Sequence, residues 1–365
     1  MATSHRVLLT GANGYIAQHI LSQLLEAEHS VRAIARSQSK VDTLKKSFSK
    51  YVDTPQLDFG VVPDITSPGA FDEVLVSTPP FDVVMHTASP FFIRAVNSTD
   101  FLNPAIKGTT EILSGITRVA PSVKRVIITS SFAALGNLAG NPISNPPKIY
   151  TREDWSPVTL EEAVATQDPR ITYPASKKFA EKAAWDFVKE NKVNFELVTL
   201  CPPGVYGPLF DPSQIAKPED LNESTATVYK GLLRPDLKSS DPVPTTFLYV
   251  WVDVRDLARG HLLAMTVPEA ANQRWFTVAG DLSFQEMANY LREALPEKRD
   301  VIPIGDPKNT GKPEGWYGSS APEVEKVLGL KYRSAEESIK DLAPQLVEIE
   351  KRAAAAAAVA VSASS

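Results

Sequence analysis

The chain has little cysteine, few histidines and no long apolar run, and each shortage excludes a class of protein. Cys201 is the one cysteine among 365 residues, so no internal disulfide can form and a reducing, cytoplasmic location is expected. The five histidines are scattered without metal-ligand spacing, and we therefore predict no metal site. No apolar run approaches the length of a membrane span, and the one in MATSHRVLLT is too short for a secretory signal.

The chain also lacks an excess of positive charge. Its 38 Lys and Arg residues face 43 Asp and Glu residues, a formal net charge of −5, and no basic stripe is visible. Nucleic acid and anionic membranes are therefore not expected as partners. What remains is a globular protein, 43% hydrophobic, that acts on a small molecule as a monomer or homodimer.

Short apolar runs alternate with helical patterns through the first half of the chain. Buried runs of this kind, separated by helices, are typical of a parallel sheet covered on both faces. They predict an α/β fold of the Rossmann type, a doubly wound parallel sheet. The predicted strands lie at residues 7–9, 31–35, 83–85, 126–128 and 195–200.

The composition of the sequence changes after about residue 205, where proline-rich stretches such as 207–220, 234–246 and 303–316 appear. Long irregular segments in compact proteins often form binding loops. We expect residues 1–205 to form the dinucleotide-binding domain with the catalytic residues, and 206–350 a smaller C-terminal substrate-binding subdomain. Segment 250–265, a strand followed by a helix, is expected to return to the first domain, and the Ala-rich tail 351–365 to be a helical extension without a functional role.

VLLTGANGYIA (residues 7–17) places small residues at three-residue intervals, after a strand and at the start of a helix. Gly11 permits the tight turn, Gly14 lets the backbone approach a pyrophosphate, and Ala17 allows close packing of helix and strand. This context predicts a dinucleotide site. The expected contacts come from Gly11, Asn13, Gly14, Tyr15 and Ile16.

The end of the second strand indicates which dinucleotide is bound. NAD enzymes place a carboxylate there for the ribose hydroxyls, whereas VRAIARSQSK offers Arg36 and Lys40 and no acid. A guanidinium fork suits a 2′-phosphate, so we predict NADP(H).

Two further strand ends are expected to contribute to the cofactor site. In VVPDIT, the Asp64 carboxylate is placed to accept from the adenine amino group, with Ile65 beside it. In MHTASP, we interpret His86 as a packed residue at the strand end. The contacts predicted from the small residues that follow it come from Thr87, Ala88 and Ser89.

Tyr173 and Lys177 lie four residues apart in ITYPASKKFAEKAAW, which predicts a helix beginning at Tyr173 with both side chains on one face. Tyr173 is the one tyrosine of ten that is followed by lysine at this spacing. A nearby ammonium is expected to lower the pKa of a phenol, which suits the phenol for protonating a developing alkoxide. The strand end KRVIITSS supplies a serine to polarise a carbonyl. We predict a catalytic site of Ser131, Tyr173 and Lys177.

These segments together resemble the NADPH-dependent aldehyde and ketone reductases of yeasts and fungi, including methylglyoxal and isovaleraldehyde reductases. Plant dihydroflavonol reductases are similar, and all are extended short-chain dehydrogenase/reductases. The resemblance implies NADPH-dependent carbonyl reduction and Ser131, not Ser130, as the catalytic serine. It also implies cofactor contacts from Val205 and Ser224, although Cys201-Pro202 departs from the pattern of the family. The residues matching its segments are GANGYIAQHI, ARSQSK, VVPDI, HTASPF, TSSFAA, SKKFAEKAAW and VDVRD.

Large side chains flank several of these motifs and are candidates for a substrate pocket, although each also suits a core position. They are Phe91, Phe92, Phe132, Tyr206 and Trp251.

Two other functions stay open on the sequence. One is an epimerase, dehydratase or hydroxysteroid dehydrogenase of the same superfamily; the epimerases retain NAD. The other is a dinucleotide sensor without turnover, a class that commonly lacks the tyrosine–lysine pair.

Overall fold

A computed structural model describes residues 4–89 and 99–364. The chain divides into two compact units. The first comprises Met1–Pro203, Leu257–Val278 and Gly315–Lys331, and the second comprises Gly204–Asp256, Ala279–Glu314 and Tyr332–Ser365.

The first unit is built on a seven-stranded parallel sheet. Its strands are β1 (Arg6–Thr10), β2 (Ser30–Ala35), β3 (Leu57–Val61), β4 (Val83–His86), β5 (Arg125–Thr129), β7 (Glu196–Leu200) and β10 (Gln273–Trp275), and a separate parallel pair joins β6 (Ile149–Tyr150) to β12 (Gly318–Ser319). The strands of the large sheet lie in the order β3-β2-β1-β4-β5-β7-β10. The order reverses direction between β1 and β4, which is the arrangement of a doubly wound sheet. The predicted α/β fold is therefore confirmed.

Helices follow the strands, as parallel connections require. The helices are α1 (Tyr15–Glu26), α2 (Gln38–Ser47), α3 (Asp72–Leu75), α4 (Thr99–Val119), α5 (Leu160–Val164), α6 (Pro169–Glu190) and α8 (Val254–Thr266), of which α8 begins in the second unit. α1, for example, buries Ile20, Leu21 and Leu24 along one face.

One row of side chains across the sheet shows why these strands are almost continuously apolar. Leu8, Val84, Val126 and Leu197 are register partners on β1, β4, β5 and β7, and all are fully buried. They share a core with Ile112 of α4. A parallel sheet covered by helices leaves no strand face for solvent, so polar alternation is absent from the central strands.

The second unit has its own three-stranded sheet. Its elements are β8 (Gly204–Tyr206), α7 (Glu223–Leu232), β9 (Val250–Asp253), β11 (Gly280–Asp281), α9 (Phe284–Ala294) and α10 (Ala335–Ser364). The strands lie in the order β11-β9-β8. α10 continues through the Ala-rich tail as a helix.

Segment 250–265, which was expected to return to the first domain, is divided between the two units. β9 pairs with β8 and β11 inside the second unit, whereas residues 257–266 of α8 belong to the first. Residues 315–331 also belong to the first unit, where β12 pairs with β6.

The helix that carries Tyr173 begins earlier than the sequence pattern suggested. It starts at Pro169 after Asp168, whose carboxylate accepts from the Arg170 N–H at 2.9 Å. Asp before Pro is a strong start signal, since the carboxylate caps and proline suits the first helical position. A helix beginning at Tyr173 would have placed Pro174 in its first turn. Pro174 instead lies inside the helix, and its missing N–H leaves the Arg170 carbonyl without its intrahelical donor.

Candidate active site

The glycine loop has the backbone geometry that its sequence predicts. Gly11 adopts φ +66°, and a Cβ there would lie 2.9 Å from the backbone of Ala88, closer than real Cβ atoms approach. Gly14 precedes α1, which begins without a capping side chain and without an acid in its first turn. The N–H groups of a first turn have no partner within their helix, so the start of α1 suits an anion.

Hydrogen bonds join this loop to the end of the neighbouring strand β4. Thr10 Oγ1 lies 2.9 Å from Nδ1 of the buried His86 and accepts from the Ala88 N–H at 3.2 Å. Thr87 Oγ1 donates to the Thr10 carbonyl at 2.6 Å. Burial lowers the pKa of His86 to about 4, and the charge of Lys177 acts in the same direction. His86 is therefore neutral at physiological pH and packs at the strand end.

A cavity of about 470 Å³ opens beside the glycine loop in the first unit. Its volume is within the roughly 300–1,000 Å³ typical of small-molecule sites. The ends of β1, β2, β3 and β4 meet there, which is where doubly wound sheets bind ligands. The lining residues predicted from sequence are Gly11, Asn13, Gly14, Arg36, Asp64, Ile65, Thr87, Ala88 and Ser89.

The cavity fits the adenosine and phosphate half of NADP. Gly11 leaves a cradle that any side chain would fill, α1 offers its N-terminus, and the exposed Arg36 lies at the tip of β2. Asp64 remains ionised because hydrogen bonds from Thr66 and Ser67 hold its pKa below the usual range. Its oxygens accept those local bonds, from Thr66 at 2.7 and 2.9 Å, and retain further lone pairs for an amino group.

Several predicted cofactor residues lie away from the walls of this cavity. Tyr15 and Ile16 open α1, where only their backbone N–H groups suit a phosphate. Lys40 is exposed on the first turn of α2, and its side chain does not line the cavity. Val205 is largely buried in β8 and Ser224 lies in α7, so both belong to the second unit.

Sequence reasoning missed other lining residues. Four of them directly precede Arg36 or Asp64 in the chain: Ile34, Ala35, Val62 and Pro63. Including the last residues of each strand in the predicted site would have identified them. Phe71 and Pro104 carry no local signal, because only the tertiary fold brings them to the cavity. The full set missed is Thr10, Ile34, Ala35, Val62, Pro63, Thr66, Phe71 and Pro104.

The serine pair at the end of β5 divides into two roles. Ser130 is buried, and its hydroxyl donates to Glu181 Oε2 at 2.6 Å. Ser131 is partly exposed and caps a short turn by accepting from the Ala133 N–H at 3.1 Å. Its side chain lies near enough to the Tyr173 hydroxyl to act on the pKa of that tyrosine, in the lowering direction. Ser131, and not Ser130, is thus the serine of the pair that acts on Tyr173.

Tyr173 and Lys177 share one face of α6, with the Lys177 ammonium 5.8 Å from the centre of the Tyr173 ring. Nζ donates to Ser89 Oγ at 3.0 Å, so it links α6 to the end of β4. Burial lowers the pKa of Lys177 to about 8. The expectation that Lys177 lowers the pKa of Tyr173 is not met in the protein alone: burial raises that pKa, and the hydrogen bond with Ser131 acts in the opposite direction.

The candidate substrate residues that the structure describes are buried. Phe132 is 1% exposed and stacks on Phe276, with ring centres 5.4 Å apart, so it is a core residue of the first unit and not a pocket wall. Tyr206 and Trp251 lie in β8 and β9, 7% and 3% exposed. Their rings serve the core of the second unit. Phe91 and Phe92 lie outside the described residues.

Within residues 4–89 and 99–364, no group of three His, Cys, Asp or Glu side chains is placed to hold a metal ion. In the same part of the chain, no helix combines the length and apolarity needed to cross a bilayer.

A doubly wound sheet, a glycine loop and a Ser–Tyr–Lys site at the sheet edge together define a short-chain dehydrogenase/reductase of the extended type. Comparison with known proteins agrees with this class. Residues 7–279 match the NAD dependent epimerase/dehydratase family, and the chain belongs to that family.

Relatives with assigned activities cover nearly the whole chain. A ketoreductase, azaE of Aspergillus niger, is 40% identical over 344 residues, covering 94% of this chain and 98% of the relative. The NADPH-dependent methylglyoxal reductase GRE2 of Saccharomyces cerevisiae is 36% identical over 353 residues, covering 95% and 99%. The resemblance drawn from the sequence motifs is confirmed.

Solved structures give the same result. The yeast methylglyoxal/isovaleraldehyde reductase Gre2 complexed with NADPH superposes with a TM-score of 0.86 at 35% identity, covering 95% of this chain and 99% of that one. Vestitone reductase from alfalfa, at 23% identity and a TM-score of 0.70, shares the fold.

Proposed function

We propose that this chain reduces a small aldehyde or ketone to the alcohol with NADPH, through Ser131, Tyr173 and Lys177. The observation that carries the proposal is the placement of the Lys177 ammonium 5.8 Å from the centre of the Tyr173 ring and 3.0 Å from Ser89 Oγ at the cofactor cavity, with Ser131 beside the phenol, all in the same unit as the glycine loop. A phenol, a hydroxyl and an ammonium together suit the protonation of a carbonyl oxygen as it becomes an alkoxide.

NADPH, when bound, supplies the hydride that adds to the carbonyl carbon. The glycine loop and the start of α1 hold its pyrophosphate, and Arg36 holds the 2′-phosphate with Lys40 as a more distant charge. Asp64 and Ile65 border the adenine, and Thr87, Ala88 and Ser89 border the ribose. Val205 and Ser224 are proposed as further cofactor contacts.

The chain's own residues then handle the proton and the developing charge. The Ser131 hydroxyl donates to the substrate carbonyl oxygen and orients it toward Tyr173. The Tyr173 hydroxyl transfers its proton to that oxygen as the C–O bond becomes single. Lys177 holds its ammonium 5.8 Å from the centre of the Tyr173 ring, and its Nζ is available to ribose hydroxyls.

We further propose a cytoplasmic enzyme that works as a monomer or homodimer. Its one cysteine, Cys201, is buried and unpaired, as expected of a protein from a reducing compartment. Size-exclusion chromatography with light scattering separates monomer from dimer, and fractionation of the source cells tests the location.

The test of the function is NADPH consumption with aliphatic aldehydes, diketones, aryl ketones and β-keto esters, followed by nicotinamide absorbance. Tyr173→Phe removes the proton donor and keeps the ring, so we expect turnover to fall by roughly 100- to 10,000-fold while NADPH binding persists. Tyr290→Phe, a tyrosine of α9 in the second unit, is the matched control and should keep full turnover.

Full turnover in Tyr173→Phe would show that another group supplies the proton. Tightly bound NAD in the purified protein, with no net consumption of cofactor, would favour an epimerase or dehydratase. Tight binding without turnover across the whole panel would indicate a sensor.

A further inference from the structure

A buried ion pair lies directly behind the Ser131–Tyr173 site. Glu181 is 2% exposed and Arg274 9% exposed, although charged side chains are rarely buried without a partner. Arg274 Nε donates to Glu181 Oε1 at 2.7 Å, and its Nη2 donates to Oε2 at 3.1 Å. The Arg274 guanidinium also lies 3.6 Å over the Trp155 ring. Such a two-pronged contact is directional and holds the carboxylate in one orientation.

Glu181 lies on the helix face that carries the proposed catalytic pair. Tyr173, Lys177 and Glu181 follow one another at four-residue spacing along α6, so each is one turn beyond the last. The contacts of Glu181 therefore act on the same face of α6 as Tyr173 and Lys177.

The same carboxylate receives two hydroxyl groups from the ends of neighbouring strands. Ser130 Oγ donates to Oε2 at 2.6 Å, and Thr199 Oγ1 donates to Oε1 at 2.8 Å. Ser130 is the chain neighbour of Ser131, whereas Thr199 lies in β7, which carries no proposed catalytic residue. One hydrogen bond thus connects the helix of the proton donor to the strand end that holds the serine.

We propose that Ser130 and Glu181 are positioning residues, whose hydrogen bond sets where the Ser131 hydroxyl meets Tyr173. This inference rests on the proposed reductase function. Neither residue touches the substrate; Glu181 holds α6 from behind, and Ser130 holds the end of β5. The Arg274 contact keeps the carboxylate in place for both.

Ser130→Ala tests the proposal, with Thr199→Ala as the matched control. Each variant removes one buried hydroxyl that donates to Glu181, and the Arg274 contact remains in both. We expect kcat to fall by roughly 10- to 100-fold in Ser130→Ala, the effect of a small misplacement of catalytic groups. The KM and Kd for NADPH are expected to stay unchanged, because neither Ser130 nor Glu181 lines the cofactor cavity. Thr199→Ala should lose similar stability in urea unfolding yet keep kcat within about twofold of the parent.

Equal kcat values in the two variants, in a parent chain that Tyr173→Phe inactivates, would overturn the positioning role and leave the reductase function intact. A loss in Ser130→Ala that appears only as a higher KM for NADPH would overturn it as well. A parent chain that oxidises no NADPH with any carbonyl would overturn the reductase function and this inference with it.

Discussion

Arg36 offers the sharpest test of how this chain selects its cofactor. Its guanidinium is exposed at the end of β2 and lines the same cavity as Gly11 and Asp64. Because the side chain is exposed and lines the cavity, its donors are accessible to a ligand there. Arg36→Ala removes those donors and leaves the cavity floor intact.

The magnitude follows from the chemistry of one charge-assisted contact. A hydrogen bond to a charged group contributes about 1.5–3 kcal/mol, and each 1.4 kcal/mol is a factor of ten. Arg36 is exposed, and solvent screens exposed charges, so the lower end of this range applies. We expect kcat/KM with NADPH to fall roughly tenfold in Arg36→Ala. NADH lacks the 2′-phosphate, so its kcat/KM should change little.

The assay is kcat/KM with NADPH and with NADH for the parent, for Arg36→Ala and for Lys40→Ala. Lys40 lies on the first turn of α2, does not line the cavity and should matter less. Equal losses with both cofactors would mean that Arg36 supports the fold and does not read the phosphate. A larger loss of kcat/KM with NADPH in Lys40→Ala than in Arg36→Ala would indicate that the 2′-phosphate binds at α2.

Three further predictions concern charge, backbone and burial. The pKa of Lys177 is about 8, so its ammonium is present below that pH and lost above it. The Kd for NADPH, followed by nicotinamide fluorescence, should therefore rise as the pH increases through 8. A Kd that does not change with pH would contradict a role of the Lys177 charge in cofactor binding. Gly11→Ala should abolish NADPH binding and lower the free energy of unfolding by about 1–3 kcal/mol. The control is Gly329→Ala: Gly329 has a similar φ, but no atom lies near the added Cβ, so this variant should still bind NADPH. Glu181→Ala leaves a buried guanidinium unpaired and should lower the free energy of unfolding in urea by about 3–5 kcal/mol. Glu336→Ala, which breaks a surface pair with Lys340, should cost less than about 1 kcal/mol, and equal losses would contradict the argument.

Local chemistry makes much of this protein readable from its sequence. A left-handed turn needs glycine, so the role of Gly11 follows from its place between a strand and a helix. Buried parallel strands are continuous apolar runs, so the central strands are predictable. Four-residue spacing puts Tyr173 and Lys177 on one face of any helix. The start signal at Asp168-Pro169 is equally local, although the prediction began the helix at Tyr173.

Other features have no local signal. β10, at residues 273–275, is only three residues long and joins the sheet edge through β7. Phe132 follows a site residue in sequence, yet its ring points into a core of aromatic side chains. Phe132 begins the short turn that Ser131 caps, and the turn directs its ring into the core, so adjacency to a motif does not make a pocket residue.

By itself the sequence determined the doubly wound fold, the glycine loop and the pairing of Tyr173 with Lys177, because each depends on residues within a turn or strand of one another. Only the tertiary structure decided the surroundings of that pair. Glu181 and Arg274 are 93 residues apart in the chain, and packing alone brings them into contact. The pKa of Tyr173 follows from burial in the same packing, since desolvation depends on every element around the phenol and not on the lysine one turn away.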